Sequence, residues 1–143
     1  MGIEFPFTAQ WEIASAGSHH VPGRTKRSEE AAAVSTGAIN LAHLKRATFG
    51  DEVLAREVLG LFEAQSERLL TAITTAASAK ARREAAHALK GAALGIGANA
   101  VASAAADLEA VAADETRFGG ALAHLSALVA VTRLAIAGMR ARR

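Results

Sequence analysis

The stretch from Arg83 to Ala98, REAAHALKGAALGIGA, holds the residues best suited to chemistry. Wound at about 100° per residue, Leu89, Ala92, Ala93 and Ile96 form one apolar stripe. Arg83, His87, Lys90, Gly91 and Leu94 fall on the opposite face. The histidine therefore points away from the core. One turn on from it lie a cation, Lys90, and a residue without a side chain, Gly91. A mid-helix glycine costs about 1 kcal/mol relative to alanine. Close approach of another molecule to the helix surface at His87 would offset that cost. Imidazole is partly neutral near pH 7, so it can act as a nucleophile without special tuning. Lys80, Arg82, Arg83 and Lys90 are accompanied by one anion, Glu84, which leaves a local surplus of +3.

A helix bundle is the scaffold that would hold such a face. Asn40 is placed to cap a short helix through His43, Leu44 and Lys45 that ends at Gly50. A long helix then opens near Asp51, with Leu54, Val58, Leu61, Phe62, Leu69 and Ile73 at three- and four-residue spacing. Asp51 and Glu52 suit its positive end. The third helix runs from about Ser78 to Gly95. A fourth spans roughly Asn99 to Ala113, with Asn99 as its expected cap. The fifth runs from about Glu115 to Met139, with Leu122, Leu125, Leu128, Val129, Leu134 and Ile136 as core candidates. Short connections make consecutive helices antiparallel neighbours. The expected fold class is all-α: an antiparallel up-down-up-down four-helix bundle with a short leading helix. It occupies residues 38–143, behind an N-terminal arm at residues 1–37.

Composition agrees with that class. The chain has 143 residues, the size of one domain. Apolar residues make up 51%, aromatics only 4%, and Tyr is absent, a poor mixture for strands. Both prolines, Pro6 and Pro22, lie in the arm, so all that follows can run as helix. No cysteine is present, which excludes disulfides, thiolate metal sites and cysteine nucleophiles. A net charge of +2 is too small a surplus to indicate nucleic-acid binding. Residues 91–106 and 118–132 lack Lys, Arg, Asp and Glu, but both are shorter than the roughly 20 residues of a spanning helix. Buried bundle helices, and no membrane association, are expected. The start, MGIEFPF, shows no secretory pattern, so the expected location is the cytoplasm. The arm reads as poorly ordered, with a short docked piece around Phe5, Phe7 and Trp11. Abundant Ala and Arg suggest a GC-rich bacterial genome.

The motif H-x-L-K-G, here His87-Ala88-Leu89-Lys90-Gly91, is followed by a run of small residues and then Ile96-Gly97-Ala98. It resembles the signature of histidine phosphotransfer (HPt) domains. The lead-in INLAHLKRATFGDEVLAREVLGLFEAQSERLLTAI is similar to the short helix and first bundle helix of those domains, and Leu108-Glu109 matches their usual pair in the next helix. The resemblance covers about residues 38–140. Many members carry Ser just after the Gly, where this chain has Ala92 and Ala93.

The resemblance implies that His87 accepts a phosphoryl group on its outer ring nitrogen. Lys90 would partly neutralise the phosphoryl oxygens, and Gly91 would keep the surface low for a receiver aspartate. By its i−4 position Arg83 is expected to flank the site, and by antiparallel geometry, not by the resemblance, Leu94 with Gln65 and Arg68 of the facing long helix is expected to complete the docking surface. The implied partners are receiver domains of hybrid histidine kinases and response regulators. The chain would need no cofactor of its own, and Mg2+ would be held by the receiver. A basic rim suits the carboxylates of a receiver pocket.

Competing readings are weaker. A histidine-kinase dimerisation helix usually has an acidic residue after the His and a Pro a few residues later. Here Ala88 follows His87, and no Pro occurs beyond Pro22. There is no room for an ATP-binding domain, so neither enzymatic turnover nor autophosphorylation is expected. A non-phosphorylated helical adaptor for a receiver or kinase keeps the fold and discards the chemistry. His43 reads as structural or solvated, and His124 as a satisfied bundle histidine. A metal site at His43 and His124 lacks carboxylates at ligand spacing. The His19–His20 pair has no third ligand nearby and reads as a solvated tail.

Overall fold

The computed structural model describes residues 37–141. The expectations for the arm, including Phe5, Phe7, Trp11 and the His19–His20 pair, lie outside the described residues. Those residues form five helices and no strand: α1 (Leu41–Ala47), α2 (Glu52–Thr75), α3 (Ala79–Ile96), α4 (Asn99–Ala110) and α5 (Glu115–Ala141).

Three caps follow directly from local chemistry. The side chain of Asn40 accepts from the His43 N–H at 3.0 Å, Asp51 from Leu54 at 3.0 Å, and Ser78 from Ala81 at 3.1 Å. The expected cap at Asn99 is not found. Gly97 ends α3 in the left-handed region (φ 78°), and the N-cap of α4 then falls on Ala98, which makes no side-chain cap bond. The turn is too tight to leave Asn99 outside the helix, so it becomes its first residue. Asn40 N–H donates to Gly97 O at 2.8 Å, which ties α1 to this corner.

α2, α3, α4 and α5 pack as a ring, each against the next and α5 back against α2, while α1 lies on α3. Across α2 and α5, Glu63 meets Arg140 and Glu67 meets Arg133, so rising numbers face falling ones. Between α3 and α4, Arg82 near the start of α3 reaches Ala112 O beyond the end of α4, at 2.9 Å. Its guanidinium also stacks on Phe118.

The core is filled from all the helices. Leu44, Leu59, Phe62, Ile73, Leu89, Leu108, Leu125 and Ile136 are fully buried among many alanines. Two residues expected in it are not there. Leu61 is 64% exposed and Leu134 is 74% exposed. Neighbours on a helix point about 100° apart; Phe62 takes the core direction on α2, so Leu61 is turned outward. On α5 the buried line is Leu125, Val129, Thr132, Ile136 and Met139, and Leu134 falls on the far side from it. Leu54, Val58, Leu69, Leu122 and Leu128 are half-buried. His124 is exposed, not a bundle-core histidine, and His43 is half-buried on α1. By length and apolar composition α5 is able to cross a membrane, yet it forms one wall of the bundle and carries buried core residues.

Candidate functional site

α3 is held rigidly. Ser78 caps its start and the Gly97 turn closes its end. Ala86, Leu89, Ala93 and Ile96 anchor one side in the core. Of the apolar stripe read from the sequence, Leu89, Ala93 and Ile96 are buried and Ala92 is half-buried, while Ala86 extends the buried line. Packing that stripe inward forces His87 outward, and its side chain is 70% exposed.

His87 is nevertheless oriented. Its Nδ1 lies 3.0 Å from Oε2 of Glu109 on α4. A carboxylate can only accept, so Nδ1 carries the proton and donates, leaving the lone pair of neutral imidazole on Nε2. The other oxygen of Glu109, Oε1, is 3.2 Å from the Lys90 ammonium. One carboxylate thus holds both residues of the motif. Partial burial pushes the Glu109 carboxyl up, but hydrogen bonds from Lys90 and His87, and their charges, outweigh it. The net result lies below the usual glutamate range. Its clamp is thus fully in place at neutral pH and is lost only as pH falls through that lowered value.

The remaining residues named from the sequence are placed as follows. Arg83, Gly91 and Leu94 are exposed on α3, and Lys90 is half-buried against α4. Gly91 is one turn from His87, and Leu94 is about 10 Å along the same face. Gln65 and Arg68 are exposed on α2, while the bonds of His87 and Lys90 go to α4 instead. A Cβ placed on Gly91 meets nothing within 4 Å, and the same holds for Gly95. Neither glycine is required by the packing of this chain. With exposed Ala88 between them and the histidine, they make a low strip on α3.

The basic rim is weaker than the local sequence suggests. Lys80 pairs with Glu84, Arg82 with Glu115 and Lys90 with Glu109. Four cations against three carboxylates leave a surplus of one, with Arg83 outside these pairs. The two extra carboxylates arrive from α4 and α5, which no local count includes. Arg82 acts as a structural latch, only 18% exposed. The Leu108-Glu109 pair marks Glu109 in the sequence but does not reveal its role. It stands 22 residues from His87, and only the α3–α4 turn brings them together. Among the described residues, no group of three or more metal-ligating side chains is arranged to hold an ion.

The family profile described as Hpt domain matches residues 57–142, more than half of the chain. No curated protein and no solved structure matches significantly.

Proposed function

The chain belongs to the Hpt domain family of histidine phosphotransfer in two-component signalling, and from that premise we propose that it carries a phosphoryl group on His87 between receiver-domain aspartates. The observation that carries this reading is the Glu109 contact with Nδ1 of an outward-facing His87. In the neutral ring it leaves the lone pair on Nε2, on a side chain that is 70% exposed.

The step balances simply. The Nε2 lone pair attacks phosphorus of the receiver's aspartyl phosphate. The N–P bond forms, the P–O bond to the aspartate breaks, and the aspartate leaves as carboxylate. The phosphorylated ring keeps its proton on Nδ1 and gains positive character, which the Glu109 carboxylate stabilises. Lys90, one turn on, attracts the phosphoryl oxygens. Arg83, Leu94, Gln65 and Arg68 belong to the docking surface in this reading. The receiver supplies Mg2+ and most of the catalytic groups. The chain acts as a stoichiometric carrier in an antiparallel up-down-up-down bundle, soluble in the cytoplasm. Support for that bundle comes from the opposed numbering across α2 and α5.

Two variants probe the parts. Glu109→Ala frees the imidazole tautomer and leaves Lys90 unpaired. Transfer from a phosphorylated receiver is expected to slow by roughly 10- to 100-fold, the range for losing a partner that orients a histidine ring. Rapid-quench kinetics measures it; an unchanged rate contradicts the positioning argument. Gly91→Leu meets no internal clash and improves helix propensity by up to about 1 kcal/mol. It is expected to keep or raise the melting temperature while slowing transfer at least about 10-fold by blocking close approach. Unaltered transfer removes the reason given for the glycine.

The relay itself is tested by mixing the protein with a panel of pre-phosphorylated receiver domains, beside an ATP-only lane. Acid-labile, alkali-stable label from a receiver and none from ATP is the expected result. Label from ATP alone overturns the carrier reading.

A further inference from the structure

A phosphoryl carrier must release its cargo as well as accept it. Release breaks the bond between phosphorus and Nε2, and the ring departs with the electron pair. With a proton on Nδ1 the ring departs as neutral imidazole. Without that proton it must depart as an imidazolate anion, a far poorer leaving group. An imidazole proton of this kind is held loosely near neutral pH. Whatever keeps it on Nδ1 therefore decides whether the cargo stays transferable.

The geometry around His87 supplies such a group. Nδ1 and Nε2 sit at different corners of the ring, so a phosphoryl group on Nε2 leaves Nδ1 facing Glu109 Oε2, at 3.0 Å. Lys90 holds the other carboxylate oxygen at 3.2 Å. Its ammonium has three donors, so it can reach phosphoryl oxygens and still keep Glu109 in place. The Glu109 side chain is only 23% exposed, which limits screening of its charge by water. The other charged groups of α3 and of the helices packed against it are placed differently. Lys80 and Glu84 pair with each other, and Arg82 turns to Glu115. Glu63 and Glu67 of α2 turn to α5. Arg68 of α2, Arg83 of α3 and Asp107 of α4 are exposed. His43, Lys45 and Arg46 of α1, with Glu52, Arg56 and Glu57 at the start of α2, belong to the corner where Asn40 meets Gly97.

On the carrier reading above, we infer that Glu109 also governs release: its carboxylate keeps Nδ1 protonated in the phosphorylated ring and so holds the phosphoryl group in its transferable form at neutral and mildly alkaline pH. A second receiver's aspartate, or water, attacks phosphorus. The new O–P bond forms, the N–P bond breaks, its electron pair returns to Nε2, and His87 leaves neutral with its Nδ1 proton. With water as acceptor the product is dihydrogen phosphate. Glu109 acts through the ring and never touches phosphorus, so it is a positioning residue. The chain is then a short-lived carrier and not a store, because the same proton that speeds onward transfer speeds loss to water.

The test is the pH profile of that loss. The full chain is loaded with phosphoramidate, and the N–P signal is followed by 31P NMR from about pH 5 to about pH 9. Three samples are compared: wild type, Glu109→Gln, and wild type unfolded in concentrated urea. Glutamine has nearly the same shape and still accepts from Nδ1, but carries no charge. Hydrolysis slows in each sample as the Nδ1 proton is lost with rising pH. The midpoint of that decline is expected about one pH unit higher in folded wild type than in the other two, the lower end of the range for a neighbouring opposite charge. Coincident midpoints in wild type and Glu109→Gln overturn the inference. So does a variant that is faster or slower by one factor at every pH, since that is a structural effect alone. In either case a phosphorylated His87 still stands, and only the role in release falls. No N–P signal on His87, from phosphoramidate or from any receiver, overturns the carrier reading itself and the release role with it.

Discussion

His87→Gln abolishes phosphoryl uptake and leaves the bundle intact. The amide nitrogen of glutamine has no free lone pair, so no N–P bond can form. Transfer should fall to background, more than about 10³-fold. Stability should move by no more than about 0.5 kcal/mol, because the side chain is largely exposed and the glutamine amide can still donate to Glu109. Circular dichroism and label transfer measured on one preparation separate the two effects. A variant that loses helicity would mean that His87 is structural, contrary to its outward placement. A variant that still takes label would place the acceptor elsewhere, with exposed His124 or half-buried His43 the histidines to examine.

The largest stability loss is expected at a glycine ten residues beyond His87, on the turn that closes α3. Gly97 has φ 78°, a region that costs an L-residue about 1–2 kcal/mol. A Cβ there would lie 2.9 Å from Asn40 O and 3.3 Å from Asn40 N, backbone atoms with no freedom to swing away. Asn40 is also held by its own N–H bond to Gly97 O, so relief would strain the cap of α1. Gly97→Val combines both penalties, and a loss of about 3 kcal/mol or more is expected. For a domain of this size that lowers the melting temperature by roughly 10 °C or more. Chemical denaturation followed by circular dichroism measures it. Gly91→Ala is the contrasting control, since its Cβ meets nothing and the change should stabilise. If both glycines respond alike, the distinction between a glycine kept for the fold and one kept for a partner fails.

What could be read in the sequence was what local chemistry determines. Asn40, Asp51 and Ser78 cap helices because their side chains reach a backbone N–H three residues on, whatever surrounds them. The outward face of α3 followed from winding one apolar stripe inward. The phase of the longer helices was less accessible. Leu61 beside Phe62, and Leu134 two residues before Ile136, are equally apolar by type, and only packing against neighbouring helices decides which is buried. Glu109 and Glu115 show the same limit for charge. Each lies on a different helix from the cation it pairs with, so no window along the chain connects them. The result is a site in which one carboxylate from α4 positions two residues of α3, a role that neither helix reveals alone.

The most direct test of that site is which ring nitrogen takes the phosphoryl group. The full chain would be phosphorylated by a labelled receiver, or by phosphoramidate, and examined by 15N-resolved histidine NMR. Because Glu109 holds the Nδ1 proton, the N–P bond should appear on Nε2 of His87 alone, with Nδ1 still protonated. Phosphorus on Nδ1, or on any other histidine, would contradict the account.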